Sequence, residues 1–257
     1  MQRAALVLIQ VVSILGCVLT AGRLAGNGLS HKYRFFFGYL IFWALYATCL
    51  LFLDVKSNWY EYIYVGGRPV AWVFYVGTVF ELYRLVLSRH RGFYTIGRWA
   101  MYAALAVSVT VSALALLPRI TPQMPQSTRI LGYAFAGDRA VAFSLAAFLL
   151  LMLAFLNLYA VPLSRNVVRH VVVYSILFLS STLRTILWSV FGIRLATEAD
   201  LVTGAVSCAC LLAWCFLISV QGEEARVHLP WFRPEQEERI LSHLDALNVT
   251  LLRVAGK

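Results

Sequence analysis

The chain is poor in charged residues. Only 13% of its 257 residues are Asp, Glu, Lys or Arg, whereas 61% are hydrophobic and the mean hydropathy is +0.75. A soluble domain carries about 25% charged residues, because its surface must be solvated. The composition therefore excludes a soluble globular protein of this length and predicts an integral membrane protein whose main partner is the lipid bilayer.

Lysine is nearly absent. It occurs only at Lys32, Lys56 and Lys257, all outside the long apolar runs. A retinal Schiff base requires a lysine amine inside the membrane, so a rhodopsin-like pigment is excluded. The net charge of +10 comes mainly from arginines in short segments between apolar runs. This distribution is typical of positively charged cytoplasmic loops and does not indicate nucleic-acid binding.

Catalytic motifs are also lacking. The sequence contains no HExxH, GxSxG or Walker motif, and no pair of acids deep in the apolar runs. Metalloprotease, serine hydrolase, NTPase and aspartyl chemistry therefore lack their required groups. His90 and His170 fall at predicted helix ends, which disfavours a haem held by two histidines. We expect neither an enzymatic activity nor a cofactor.

All cysteines fall inside predicted membrane spans, at Cys17, Cys49, Cys208, Cys210 and Cys215. A thiol within lipid usually packs as a small apolar group, so we expect no disulfide framework. Cys208 and Cys210 are two residues apart, which places their sulfurs on different faces of a helix. We therefore expect no metal site there.

Seven apolar runs are long enough to cross a membrane, which requires about 20 helical residues. They are Ala4 to Gly22, Phe35 to Leu53, the run from Trp59 to Arg91, Trp99 to Leu117, Ala140 to Ala160, Val171 to Phe191 and Leu201 to Val220. The first run follows a basic N-terminus as a signal peptide does. Its full span length favours a helix of the mature protein. We predict an all-α fold, with a seven-helix transmembrane domain over residues 1–222 and a cytoplasmic tail with an amphipathic helix over residues 223–257.

Lysines and arginines are unevenly distributed between the two sides of this topology. The larger set is Arg23, Lys32, Arg34, Arg84, Arg89, Arg91, Arg98, Arg165, Arg169, Arg226 and Arg233, and the smaller set is Arg3, Lys56, Arg119, Arg129, Arg139 and Arg194. Because the cytoplasmic side carries the excess, this predicts the N-terminus outside and the C-terminus inside. We expect the protein in the cytoplasmic (inner) membrane.

Two arginines lie within predicted spans. An arginine inside the membrane is costly unless it is paired or faces a wet cavity. Helical spacing places each on a polar or aromatic stripe, and the opposite directions of the two helices bring both stripes to the outer half. We predict an outward-facing pocket for an anion or another polar ligand, because arginine suits carboxylate and phosphate. The residues predicted to line it are Arg68, Trp72, Tyr75, Ser181, Arg184 and Trp188.

The alternative is that the arginines only lock helices together through ion pairs. Acids are available near the same face, at Asp54, Glu61, Asp138, Glu198 and Asp200. Elsewhere, Glu81 and Arg84 stand one turn apart, which is the spacing of an ordinary ion pair at the membrane interface.

The segment Gly66-Gly67-Arg68-Pro69 predicts an interruption in the third helix. Discontinuous helices form the binding points of many secondary transporters. This supports an alternative function, a small-solute (anion) transporter. An internal repeat between the first three and last three spans would favour it, and we find none by inspection.

The C-terminal tail has the pattern of a soluble helix. Pro234 suits a helix start, and the glutamates that follow complement the helix dipole. Apolar residues then recur at coiled-coil spacing, at Ile240, Leu244, Leu247 and Leu251. This seam indicates a protein partner or self-association into a homo-oligomer. The alternative is a helix that lies on the membrane surface.

Four segments, FFFGYLIFWALY, WYEYIY, FELYRLVL and RGFYTIGRWAMYAAL, carry a resemblance to a group of uncharacterised bacterial seven-span membrane proteins. The resemblance implies a fold and no established activity. A weaker similarity is to the seven-helix input regions of bacterial membrane sensors, from which this chain departs by ending after the tail helix without a kinase or cyclase domain. We expect a non-enzymatic protein that is sensor-like, or an accessory subunit of a membrane complex, and that needs a separate partner to signal.

Overall fold

The computed structural model describes residues 2–54, 57–87, 126–158, 163–191, 196–224 and 226–227, together with residues 99, 102, 103, 106, 107, 110 and 246. This part of the chain is helical apart from one pair of two-residue strands. The helices are α1 (Gln2–Gly26), α2 (Arg34–Phe52), α3 (Asn58–Leu87), α4 (Gln126–Leu158), α5 (Arg165–Phe191), α6 (Ala196–Leu217) and the short α7 (Val220–Glu224), with a 3-10 turn at Leu29–His31. Strand β1 (Leu163–Ser164) pairs antiparallel with β2 (Arg226–Val227).

Helices α1 to α6 are all long and apolar enough to cross a membrane. Their apolar stretches are Ala4–Gly26, Arg34–Phe52, Trp59–Val86, Gly132–Ala154, Arg165–Leu187 and Thr197–Leu217. The described part of the chain is therefore almost entirely helical, and its long helices have the length and composition of a multi-pass membrane protein. All but a few residues of the fourth predicted span, Trp99 to Leu117, lie outside the described residues, so the count of seven stays a prediction. The tail helix lies outside them as well, apart from Ala246.

The six long helices form a closed ring. Each packs against the next along the chain, and α1 completes the ring against α6. The short connections from α1 through α3, and from α4 through α6, make consecutive helices antiparallel. We call the end of the ring where α1 begins the N-face and the opposite end the C-face. Gly204 packs on Ile9 and Gly16 packs on Leu211, so α1 and α6 run in the same direction, and helices α1, α3, α4 and α6 begin at the N-face.

Glycines allow α2 and α3 to approach closely. A Cβ atom on Gly38 would lie 2.8 Å from Cε1 of Phe74, and one on Gly67 would overlap the ring of Tyr46. The prediction of a break in the third helix was wrong, since α3 runs unbroken through Pro69. Gly67 instead allows a close contact between α3 and α2, and Pro69 lies inside the helix, where it removes one backbone donor.

Helix α4 begins earlier than the sequence suggested. The fifth span was predicted from Ala140, after a loop that extended to Asp138, but the helix begins at Gln126, directly after Pro125. Asp138 pairs with Arg68 on the cavity wall, so its charge is compatible with a position inside the helix. Asp138 therefore lies within a helix, at a depth where its side chain can reach α3.

Candidate functional site

A cavity of about 380 Å³ lies inside the helix ring. This volume falls within the range of about 300 to 1,000 Å³ that small-molecule sites occupy. Every long helix contributes to its lining, for example through Gln10, Tyr39, Arg68, Asp138, Arg184 and Asp200, taken in order from α1 to α6. A molecule held in this cavity would therefore contact all six helices.

The structure brings most of the predicted pocket residues together. Five of them line this one cavity, namely Arg68, Trp72, Tyr75, Ser181 and Arg184. Trp188 belongs to α5, but its side chain lies outside the described residues. The predicted partner-binding residues Ile240, Leu244, Leu247 and Leu251 also lie outside them.

Arg68 is held by several neighbours on the wall of the cavity. Its Nη1 lies 3.2 Å from Oδ2 of Asp138, and its Nη2 donates to the Tyr64 hydroxyl at 2.6 Å. Its guanidinium carbon also lies 4.5 Å from the centre of the Tyr64 ring. The Arg68 and Asp138 side chains are only 15% and 13% exposed. An ion pair this buried, with further polar contacts, has a fixed geometry.

Trp72 completes this network. Its indole Nε1 donates to Oδ1 of Asp138 at 2.7 Å, so the two carboxylate oxygens of Asp138 serve different partners. The indole ring packs directly on Gly137, where a Cβ atom would overlap it. The glycine next to Asp138 in the sequence thus makes room for the ring that binds Asp138.

The second arginine belongs to a more open pair. Nη1 of Arg184 lies 3.4 Å from Oδ1 of Asp200. The two side chains are 23% and 34% exposed, against 15% and 13% for Arg68 and Asp138. Both arginines therefore line the cavity and are ion-paired at once, so the two interpretations of the sequence are compatible.

Aromatic side chains form much of the remaining wall. The ring of Tyr39 lies 5.2 Å from that of Tyr75 and 6.0 Å from that of Trp43. Trp214 also lines the cavity, is only 1% exposed, and packs 4.5 Å from Tyr174. Its indole Nε1 has no hydrogen-bond partner among the described residues. The cavity therefore has aromatic residues in its wall beside its charged groups.

Sequence reasoning missed Trp43 and Trp214 as cavity residues. Both lie in apolar spans without a neighbouring charge, where an aromatic residue is typical of helix packing. Only the closure of the ring places them opposite Arg68 and Arg184.

A second polar cluster lies at the C-face of the ring. It consists of Glu223, Lys32, Tyr33 and Asn166, and we call it the C-face clasp. The Glu223 carboxylate accepts hydrogen bonds from Lys32, from the Tyr33 hydroxyl at 2.7 Å and from Nδ2 of Asn166 at 3.1 Å. Burial acts to raise the pKa of Glu223, but the bonds from Lys32 and Tyr33 outweigh it and hold the pKa below its usual range. Burial and the same carboxylate raise the pKa of Tyr33. The clasp joins α7 to the link between α1 and α2 and to the start of α5.

Glu81 has a different role from the one its spacing suggested. Instead of pairing with Arg84, its carboxylate accepts the backbone N–H groups of Arg34, Phe35 and Phe36, at 2.7, 3.2 and 3.4 Å. These are free donors of the first turn of α2, where negative charge also complements the helix dipole. Glu81 on α3 thus caps the neighbouring helix.

The described ranges contain no candidate metal site and no disulfide. No group of three or more His, Cys, Asp or Glu residues there is placed to hold a metal ion. The cysteines are unpaired thiols, and Cys17 and Cys210 are buried in the helix packing.

Comparison with protein-family models, with curated proteins and with solved structures finds no match. The resemblance noted from the sequence therefore stays a prediction, and the function has to be argued from the cavity.

Proposed function

We propose that this chain is a non-enzymatic membrane protein, either sensor- or receptor-like or an accessory subunit of a membrane complex, which binds a small polar ligand in the central cavity. The observation that carries the proposal is the cavity itself, which holds Arg68, Asp138, Arg184 and Asp200 between aromatic walls. Ionisable groups inside a membrane are costly, and in membrane proteins they usually mark a functional site.

The arrangement of the ring supports a role in sensing. A ligand in the cavity would touch all six helices, so its binding would stabilise one packing of the ring over others. The C-face clasp lies where the last described helix leaves the ring, and it joins three parts of the chain through Glu223. A change in ring packing would therefore reach the segment that leads to the tail.

The proposal includes an orientation and a partner. We place the N-face outside and the C-face in the cytoplasm of a bacterial cell, in the inner membrane. Among the described residues, Arg23, Arg34, Arg84, Arg165 and Arg169 lie near helix ends at the C-face, where an excess of positive charge favours the cytoplasm. The tail seam from Ile240 to Leu251 would then contact a cytoplasmic or membrane protein.

The transporter alternative depended on a break at Gly66 to Pro69. Since α3 is continuous there, no contact among the described residues favours it.

Native mass spectrometry of the protein, purified in a mild membrane mimic, tests ligand binding. We expect a small-molecule adduct on the wild-type chain that is lost from Arg184→Gln. Arg165→Gln is the matched control, because it removes the same charge from an exposed position of the same helix. It should keep the adduct.

Two results would overturn the ligand proposal. One is an adduct that binds equally well to Arg184→Gln. The other is a wild-type chain that carries no adduct and takes none up from a metabolite extract.

A further inference from the structure

We infer that the cavity accepts a zwitterion, a small molecule with one anionic and one cationic group on an apolar or aromatic body. The inference rests on the proposed ligand-binding function and names its ligand class. The charged residues that line the cavity are two arginines and two aspartates, so their formal charges cancel. A ligand with a single charge would leave one of these groups uncompensated in a low-dielectric site, which is costly.

The two ion pairs differ in how readily they can open. Arg68 and Asp138 are tied to Tyr64 and Trp72 by hydrogen bonds of 2.6 and 2.7 Å, and both are mostly buried. Arg68 Nε and Asp138 Oδ2 make no hydrogen bond among the described residues, but opening the pair would leave two buried charges uncompensated. The Arg68 and Asp138 pair therefore belongs to the framework of the cavity.

Arg184 and Asp200 form the pair that a ligand can enter. Their contact is 3.4 Å long, and Asp200 is 34% exposed against 13% for Asp138. A zwitterion can place its anion on the Arg184 guanidinium and its ammonium on the Asp200 carboxylate. Both protein charges remain compensated throughout this exchange, which an anion or a cation alone does not achieve.

The aromatic wall provides for the rest of such a ligand. Tyr39, Trp43 and Tyr75 line the cavity, and their rings form one connected cluster. Aromatic faces bind both apolar bodies and ammonium groups. Trp214 adds a further aromatic residue to the lining of the cavity.

This chemistry has two sources, a free metabolite such as an amino acid and the headgroup of a zwitterionic phospholipid. Both carry an anionic group and an ammonium a few bonds apart. The test therefore compares free probes in two lipid environments.

The experiment measures binding of L-phenylalanine, L-leucine and glycerophosphoethanolamine through the intrinsic fluorescence of the cavity tryptophans. Each amino acid is compared with its N-acetyl derivative, which keeps only the anion, and with its methyl ester, which keeps only the cation. We expect at least one zwitterion to bind about tenfold or more tightly than its singly charged analogues, as the loss of one charged hydrogen bond predicts.

A variant of the Arg184 and Asp200 pair should change the affinities of the zwitterion and of the anion in opposite directions. In Asp200→Asn, the zwitterion should bind more weakly than to wild type, while the N-acetyl anion should bind more tightly than it does to wild type. A gain of affinity cannot arise from misfolding, so this arm remains informative if the variant is less stable. Glu198→Gln removes the same charge from an exposed position of the same helix and should change neither affinity.

The lipid arm uses nanodiscs of phosphatidylethanolamine or phosphatidylglycerol. Weaker binding of the free zwitterions in phosphatidylethanolamine indicates that the headgroup occupies the site, and equal affinity in both indicates a free ligand. Each of these supports the inference.

Three outcomes overturn it: an N-acetyl anion that binds wild type as tightly as its parent amino acid, an unchanged preference in Asp200→Asn, or no zwitterion bound. If an adduct lost in Arg184→Gln is still found by mass spectrometry, the ligand-binding proposal stands without the zwitterion. If that adduct is absent too, both fail.

Discussion

The Arg68 and Asp138 ion pair should be strongly coupled in stability. The atoms Nη1 and Oδ2 are 3.2 Å apart, which corresponds to a Coulomb attraction of about 5 kcal/mol at an effective dielectric constant near 20. Removing one partner of a buried pair costs about 3–5 kcal/mol, because the other charge is left uncompensated. Both side chains are largely buried, so screening by solvent reduces this value little.

A double-mutant cycle measures the coupling. Arg68→Met leaves the Asp138 carboxylate alone, and Asp138→Asn leaves the guanidinium alone while keeping an oxygen to accept the Trp72 N–H. We expect each single variant to lose about 3–5 kcal/mol of unfolding free energy. The double variant should recover at least about half of the summed loss, because it leaves no buried charge.

The assay is reversible unfolding in mixed micelles, followed by tryptophan fluorescence. Arg84→Met is the control, since it removes an exposed arginine from the same helix and should cost at most about 0.5 kcal/mol. Water would be shown to screen the pair if each single variant lost less than about 1 kcal/mol of unfolding free energy and the double variant lost the sum of the two. The description of this pair as part of the rigid cavity wall would then be refuted.

The C-face clasp and the tail make two further predictions. Because the pKa of Glu223 lies below its usual range, the clasp stabilises the fold at neutral pH and loses this contribution as the pH falls through the folded-state pKa. Glu223→Gln should cost about 1 kcal/mol at pH 7, a value discounted for the exposed Lys32, and should abolish this acid-dependent loss in thermal unfolding curves from pH 7 to pH 3. An equal loss in the variant would contradict it. Deleting the residues after Arg233 should abolish co-purification of a partner from membranes but leave insertion intact, and unchanged association would refute the partner proposal.

The lining of the cavity shows how much of a helix bundle's interior a membrane-protein sequence can indicate. An arginine within an apolar helix must point toward the interior of the bundle, and the helical period then determines which neighbours share its face. These two constraints are enough to bring Arg68, Trp72 and Tyr75 to the cavity from one side and Ser181 and Arg184 from the other.

The errors occurred where a residue's role depends on another helix. Gly67 and Pro69 have the local pattern of a break, but α3 is continuous there and Gly67 lies against the ring of Tyr46 on α2. Asp138 was predicted to belong to a loop, but it lies within α4, where it pairs with Arg68 of α3. In each case the stabilising contact comes from a residue distant in the sequence, which no local pattern contains.

Composition and periodicity by themselves determined that this chain is a helical membrane protein with two arginines facing its interior, because the cost of placing charge in lipid leaves no other arrangement. Only the tertiary structure decided how those arginines are used. Closure of the ring through α1 and α6 determines which acids they meet, how far each pair is buried, and which aromatic rings complete the cavity. These are properties of distances between helices, and a sequence specifies them only through packing of the whole bundle.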